Sequence, residues 1–368
     1  MRKKIWKNIE WGILICTILL IGIGLVALFS ATQNTEYEEL KRQIMWIGIS
    51  IPIVIMVIWI DYEWIAKISP IIYGIVLILL VVVLFTEPIN GASSWFNFGS
   101  FSFQPSEFAK IFTVIVFALV ITKIQTRGRD ELSRPTRLIL ALSVVAVPVL
   151  LIIKQPDYGT ALAFLMATVF VLFVAGIKKR YIIGAILIVV IAAPLLYFFV
   201  LPEHAKTRID VFLNPDLDPR GAGYNVIQSK LAIGSGQLLG MGLLKGNQTQ
   251  LGFLYPKTTD FIFSVIGEEM GFVATAGIVI VYVVLITKAI YVAKTAKDDL
   301  GSYIAAGIAG IFLFHMVENI GMTIGLLPIT GVPLPFVSYG GSSLLTNLIL
   351  IALLLNISGR RQKAIFVE

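Results

Sequence analysis

The stretch LYPKTTDFIFSVIGEEMG (residues 254–271) decides how this chain reads. A charged, turn-forming segment runs into a long apolar helix and carries Asp260 to the helix threshold. Glu268 and Glu269 lie about two turns further along, about 12–14 Å at a rise of about 1.5 Å per residue. Carboxylates at the mouth of a membrane helix are costly to place, so each one is a candidate for function. Asp260 is the strongest of the three.

The rest of the chain supports a membrane setting. It is 57% hydrophobic and 14% charged over 368 residues, whereas soluble domains run nearer about 45–50% apolar and 25% charged. Mean hydropathy is +0.90. Apolar runs at about 11–29, 44–60, 70–85, 106–122, 137–153, 160–176, 181–201, 261–287, 303–327 and 343–357 are each near the length that crosses a bilayer. These runs predict an all-α polytopic membrane protein of about ten transmembrane helices. It forms one domain, with a large extracellular loop (about 202–259) between helices 7 and 8. The first run follows Arg2, Lys3, Lys4 and Lys7 but is longer than a signal-peptide core, so it reads as a retained helix.

Charge sets the orientation. With the N-terminus inside, 19 of the 29 Lys and Arg fall on the inner side and nine on the outer, while Lys110 lies within a span. That excess predicts both termini in the cytoplasm of a cell whose cytoplasmic membrane holds the protein. The net charge of +7 is then loop retention rather than a sign of nucleic-acid binding. Cys16 is the only cysteine, so the chain forms no internal disulfide. His204 and His315 carry no ligand spacing, and no metal site is expected from them.

Four helices expected to start on the outer side begin with polar segments: Gln104-Pro105-Ser106-Glu107, Gln155-Pro156-Asp157, Lys257-Thr258-Thr259-Asp260, and the run from Pro333 through Ser338 to Ser342. Each alone is ordinary helix-start chemistry. Together, four N-termini with free N–H groups on one side would form a site for a large anion such as a diphosphate. The external loop adds Lys206, Arg208, Arg220, Lys230, Lys245 and Lys257. Lys110, inside a span, needs an anion, and Glu107 three residues earlier is available.

Other features read as structure. The glycine-rich run at 234–246 lacks the ending of a phosphate-binding loop. Ser264, Gly267 and Gly271 share one helix face, which predicts close packing. His315 and Glu318 are spaced to form a buried pair. The segment at 224–233 has helical apolar spacing, and two readings stand: a helix in the membrane interface or an ordinary loop helix.

The TDFIFSVIGEEMGF, QPSEFAK, QPDYGTA and ITGVPLPFVSYGGSS segments together resemble the SEDS family of shape, elongation, division and sporulation proteins, across essentially the whole chain. GNQTQLGF (246–253) and ENIGMTIGLLPITG (318–331) look more like the elongation branch than the division branch. Tyr255-Pro256-Lys257-Thr258 departs from the family's usual Pro-Glu-X-His, while the Thr-Asp-Phe core is intact. The resemblance implies a peptidoglycan glycosyltransferase that polymerises lipid II on the outer membrane face. It implies a class B penicillin-binding protein as partner within an elongation complex of membrane proteins. It maps the family's essential aspartate onto Asp260 and its intramembrane pair onto Glu107 and Lys110. The chemistry agrees: one carboxylate suffices as the base for an inverting transfer. Basic groups or a divalent cation (Mg or Mn) would stabilise the leaving diphosphate. Asp157, Arg208, Lys257, Glu268, Glu269 and Ser338 are expected to bind substrate or support the site. Two competing readings are a lipid II flippase, which needs polar groups along a path through the bilayer, and a non-catalytic scaffold for the penicillin-binding protein.

Overall fold

The computed structural model describes residues 8–88, 92–99, 101–199, 203–214, 217–218 and 221–361. Arg2, Lys3, Lys4, Lys7, Arg220 and Lys363, which entered the charge count, lie outside them. Helices dominate: α1 (Trp11–Ala31), α2 (Glu38–Trp59), α3 (Tyr62–Val82), α4 (Pro105–Gln125), α5 (Pro135–Lys154), α6 (Tyr158–Val174) and α7 (Lys179–Phe199). Then come α8 (Glu203–Leu213), α9 (Ala222–Ser235), α10 (Asn247–Gln250), α11 (Ile262–Thr295), α12 (Asp299–Thr323) and α13 (Gly341–Gly359). A two-stranded hairpin, β1 (Phe96–Phe98) and β2 (Phe101–Phe103), pairs Phe96 with Phe103 just before α4.

Eight helices among the described residues are long and apolar enough to cross a membrane. α4, which carries Glu107, Lys110 and Lys123, and the 17-residue α6 occupy the positions of the other two expected spans. Local sequence explains the starts. Pro105 takes the first turn of α4, where its missing N–H costs nothing. The Asp157 carboxylate caps α6 by accepting from Thr160 N, and Asp298 caps α12 by accepting from Gly301 N.

The expected eighth span is one element with a break. Gly271 has φ +74° and ψ −173° inside α11, a conformation that side chains disfavour. The break splits a short N-terminal segment from a long span. Residues 236–242 fill the notch: Met241 N and Gly242 N donate to the carbonyls of Glu268 and Glu269. Phe272 N and Val273 N donate back to Gln237 and Leu238.

α12 and α13 are the most buried spans. α12 packs on α6, α11 and α4, α13 on α2, and α1 on α11. Large apolar side chains point outward elsewhere, such as Ile71 at 70% and Ile139 at 67% exposure. In water that surface would be a liability, whereas in lipid it is the solvated face. The chain is a multi-pass membrane protein.

The connections sort to two ends of the bundle. At one end Glu10 pairs with Lys288 and Arg361, Asp61 with Arg360, Glu63 with Lys297, Asp130 with Lys178, and Asp299 with Arg129. At the other, Gln250 bonds Ser30, Gln43 bonds the Ser338 carbonyl, and Ser94 bonds the Gln155 carbonyl. This is the alternation that successive spans require. α9 lies against the N-terminal segment of α11, with Ser229 Oγ 2.6 Å from Ser264 Oγ and bonded to the Thr323 carbonyl. The small face of Ser264 and Gly267 therefore receives α9, a loop helix, in close packing.

Candidate active site

A cavity of about 590 Å³ opens at the end of the bundle that holds Asp260. All four polar helix starts reach it. Gln104 and Glu107 come from the start of α4, Pro156, Asp157 and Thr160 from α6, Thr259 and Asp260 from the turn before α11, and Tyr339, Gly340 and Ser343 from the start of α13. Arg208 of α8 and Asn225 of α9 complete the wall. The helices are far apart in sequence, and their convergence puts several N-terminal dipoles around one space.

Asp260 is half-buried. Its turn is tied down at the backbone. Ser338 Oγ donates to the Thr259 carbonyl at 2.6 Å, Tyr339 N to the Thr258 carbonyl at 2.9 Å, and Asn319 Nδ2 to the Asp260 carbonyl at 3.0 Å. The carboxylate itself stays on the cavity wall. Burial pushes its pKa above the ordinary carboxylate range, against a lowering by the Thr259 hydrogen bond and the Arg208 charge. Gly331 faces it: a Cβ there would stand 3.5 Å from Asp260 Oδ2, and φ at Gly331 is +74°.

Glu107 touches the same cavity and anchors a chain leading inward. Lys110 Nζ donates to Glu107 Oε1 at 2.9 Å and lies 3.1 Å from His315 Nε2, while Thr346 Oγ1 donates to Glu107 Oε2 at 2.8 Å. With Lys110 as donor to Nε2, the imidazole carries its proton on Nδ1 and donates to the Pro333 carbonyl at 3.1 Å. Below Lys110 lies a void of about 10 Å³, lined mostly by apolar residues such as Val114, Phe117 and Phe164. It has room for about one water. The polar cluster therefore ends one turn inside the bundle.

The remaining predicted residues divide. Asp157 Oδ1 caps α6 and Oδ2 accepts from Gln104 Nε2 at 3.1 Å, so it fastens two helix starts together. Ser338 supports the Asp260 turn from behind. Glu268 and Glu269 do not face the cavity. Glu268 accepts from Gln248 N, Thr249 N and Thr249 Oγ1, and Glu269 from Gly246 N and Gln250 Nε2. They hold the 246–250 turn onto the broken helix.

Lys257, expected to bind substrate or support the site, does not line the cavity and donates to the Thr249 carbonyl at 2.9 Å. Burial pushes its ammonium pKa down, against the raising effect of Glu39 and Glu269. The expected His315–Glu318 pair is also corrected. The two lie one turn apart, but the His315 ring nitrogens meet Lys110 and the Pro333 carbonyl, and Glu318 Oε1 accepts from Thr330 Oγ1 instead. Reasoning from sequence missed Asn319 and the His315–Lys110 contact. Among the described residues no group of three or more His, Cys, Asp or Glu is placed to hold a metal ion.

The fold and the cavity define a polytopic membrane protein with a polar, carboxylate-bearing cavity at one bundle end. The chain matches the FtsW/RodA/SpoVE cell cycle protein family over residues 10–363 and belongs to it. The peptidoglycan glycosyltransferase MrdB of Escherichia coli is 37% identical over 349 residues, covering 94% of this chain and 92% of that protein. The peptidoglycan glycosyltransferase RodA of Treponema pallidum is 30% identical, covering 98% and 100%. Among solved structures, RodA of Thermus thermophilus superposes with a TM-score of 0.72 at 27% identity, covering 97% of this chain and 99% of that one. A chain from a structure described as a peptidoglycan synthase complex that coordinates polymerisation and crosslinking superposes with a TM-score of 0.82 at 28% identity, covering 95% and 97%.

Proposed function

We infer that this protein is a peptidoglycan glycosyltransferase that polymerises lipid II into glycan strands during cell elongation, with Asp260 as general base. The observation that carries the reading is the half-buried Asp260 carboxylate on a cavity built from four helix starts and Arg208. Asp260 takes the proton from the 4-hydroxyl of the acceptor sugar. That oxygen attacks the anomeric carbon of the donor from the face opposite its diphosphate, the carbon–oxygen bond to diphosphate breaks, and the configuration inverts. The lipid diphosphate leaves into the field of the helix N-termini and Arg208. A raised pKa suits the role, because a base working near neutral pH gains from a conjugate acid that is not too strong.

Orientation and partner complete the proposal. Both termini face the cytoplasm by the charge count, so the cavity opens on the outer face, where the polymer is built. The likeness to a chain of a synthase complex supports a class B penicillin-binding protein as the cross-linking partner. Transport of lipid II is less well supported, because the polar cluster stops at the small void beneath Lys110.

Purified protein with labelled lipid II, its products resolved by length, tests the activity. The unaltered protein is expected to give long strands, and Asp260→Asn none while remaining folded. Near-normal strands from Asp260→Asn would reject the base assignment. No strands from the unaltered protein, alone and with a class B penicillin-binding protein, would reject the activity.

A further inference from the structure

Asn319 lies in α12, 59 residues from Asp260 in sequence, and is fully buried. Its Nδ2 makes two bonds at once, to the Asp260 carbonyl at 3.0 Å and to the Val332 carbonyl at 2.8 Å. Its Oδ1 is buried with no hydrogen-bond partner. A buried amide that leaves one end unsatisfied carries the desolvation cost of that end. A leucine of similar size would avoid that cost if packing were all the position required. The amide is therefore held there by its two donor bonds.

Those bonds join the two segments that face each other at the carboxylate. One is the turn carrying Asp260. The other is the 329–333 segment, whose Gly331 stands against Asp260 Oδ2. One turn earlier on the same helix, His315 fixes Pro333 of that segment through Nδ1 and reaches Lys110 through Nε2. α12 thus presents a face that sets the gap between base and opposite wall, and Asn319 is the only member of that face bonded to the base-bearing residue itself.

We propose that Asn319 is a positioning residue for the transfer reaction, setting the distance between the Asp260 carboxylate and the 329–333 wall where the acceptor hydroxyl must fit. The proposal rests on the reading of Asp260 as the base. A shift of about 1 Å in such a group is enough to cost about 100-fold in rate. The residue touches neither substrate nor proton, so its loss acts on turnover and leaves substrate capture nearly intact.

The test measures turnover and half-saturating lipid II for Asn319→Leu, Asn319→Gln and Asp260→Asn, with the melting temperature of each in detergent. Asn319→Leu keeps the volume and removes the donor, whereas Asn319→Gln keeps a donor with a longer reach. The expected result is a turnover loss of about 100-fold in Asn319→Leu with half-saturation within about three-fold of the unaltered protein, and partial recovery in Asn319→Gln. Should Asn319→Leu not fold, Asn319→Ala, which leaves space rather than a mismatched group, carries the same comparison. Turnover within about three-fold of normal in a folded variant lacking the donor overturns the proposal, as does a rise in half-saturation with turnover unchanged. If Asp260→Asn is itself fully active, it is the base assignment that fails.

Discussion

Asp260 and Glu268 sit eight residues apart on either side of the start of α11, and the structure treats the two carboxylates in opposite ways. Glu268 is fully buried and accepts three hydrogen bonds from the 248–249 turn. Asp260 is half-buried on a cavity wall, with its backbone clamped and its carboxylate left facing open space. A carboxylate whose lone pairs are taken by protein donors is held by them and has little left to offer a substrate. One with rigid backbone support whose side chain carries only the Thr259 hydrogen bond keeps lone pairs with which to take a proton. Burial alone does not separate the two roles. The partners do.

The largest effect on folding is expected at Lys110, where the comparison can be broken from a third side. Lys110→Met strands the Glu107 carboxylate, and Glu107→Gln strands the ammonium. Each is expected to destabilise the detergent-solubilised protein by about 3–5 kcal/mol, the usual cost of removing one partner of a buried pair. The double variant is expected to lose less than the sum, and a double-mutant cycle on unfolding checks it. Strictly additive losses would separate Glu107 from Lys110 and remove the pair as an explanation for how a charge is tolerated inside α4. Glu268→Gln comes next. It keeps the shape but turns one acceptor into a donor that faces N–H groups, so a stability loss of about 1–3 kcal/mol is expected. The folded fraction should retain turnover.

Much of this arrangement is legible in the sequence. The ten spans are, because apolar runs and helix-start chemistry are local: Pro105 and Asp157 mark their helices within a residue or two. The gathering of four polar starts at one bundle end follows from counting spans and charges. What stays hidden depends on contacts between distant segments. Nothing local tells Asn319 that it will meet Asp260, or His315 that it will meet Lys110 rather than Glu318. Gly271 reads as a small residue on a packing face, whereas the chain uses it to break α11 and let residues 236–242 into the gap. Lys257 looks like a free cation until the 246–250 turn folds over it.

Acidity gives a smaller effect whose sign is fixed. The Asp260 pKa is raised on folding. Its contribution to stability is therefore full at low pH, where both states are protonated, and is lost as pH rises through the folded-state value. Ionised Asp260 thus weakens the fold at neutral pH, and Asp260→Asn is expected to melt slightly higher than the unaltered protein. Turnover runs the other way, falling on the acid side as the base is protonated, with a midpoint above the ordinary carboxylate range. A melting temperature for Asp260→Asn below that of the unaltered protein would place Asp260 with Glu268 as a structural acid.

The smallest effect separates two cations. Arg208 lines the cavity, and Arg208→Gln is expected to raise half-saturating lipid II about two- to five-fold, the scale of an exposed charge contact. The difference should shrink in high salt. Lys257→Gln should leave half-saturation unchanged, since Lys257 does not line the cavity and its ammonium is held toward the Thr249 carbonyl. Equal effects from both would mean that the external loop acts as a diffuse basic surface.

The most direct measurement sets Asp260→Asn beside Glu268→Gln, following lipid II binding, strand formation and melting temperature for each. For Asp260→Asn the expected result is retained binding, no strand formation and a melting temperature at or above normal. For Glu268→Gln it is a lowered melting temperature with strand formation preserved in the folded fraction. Strand formation by Asp260→Asn together with its loss in folded Glu268→Gln would reverse the two assignments and contradict the account.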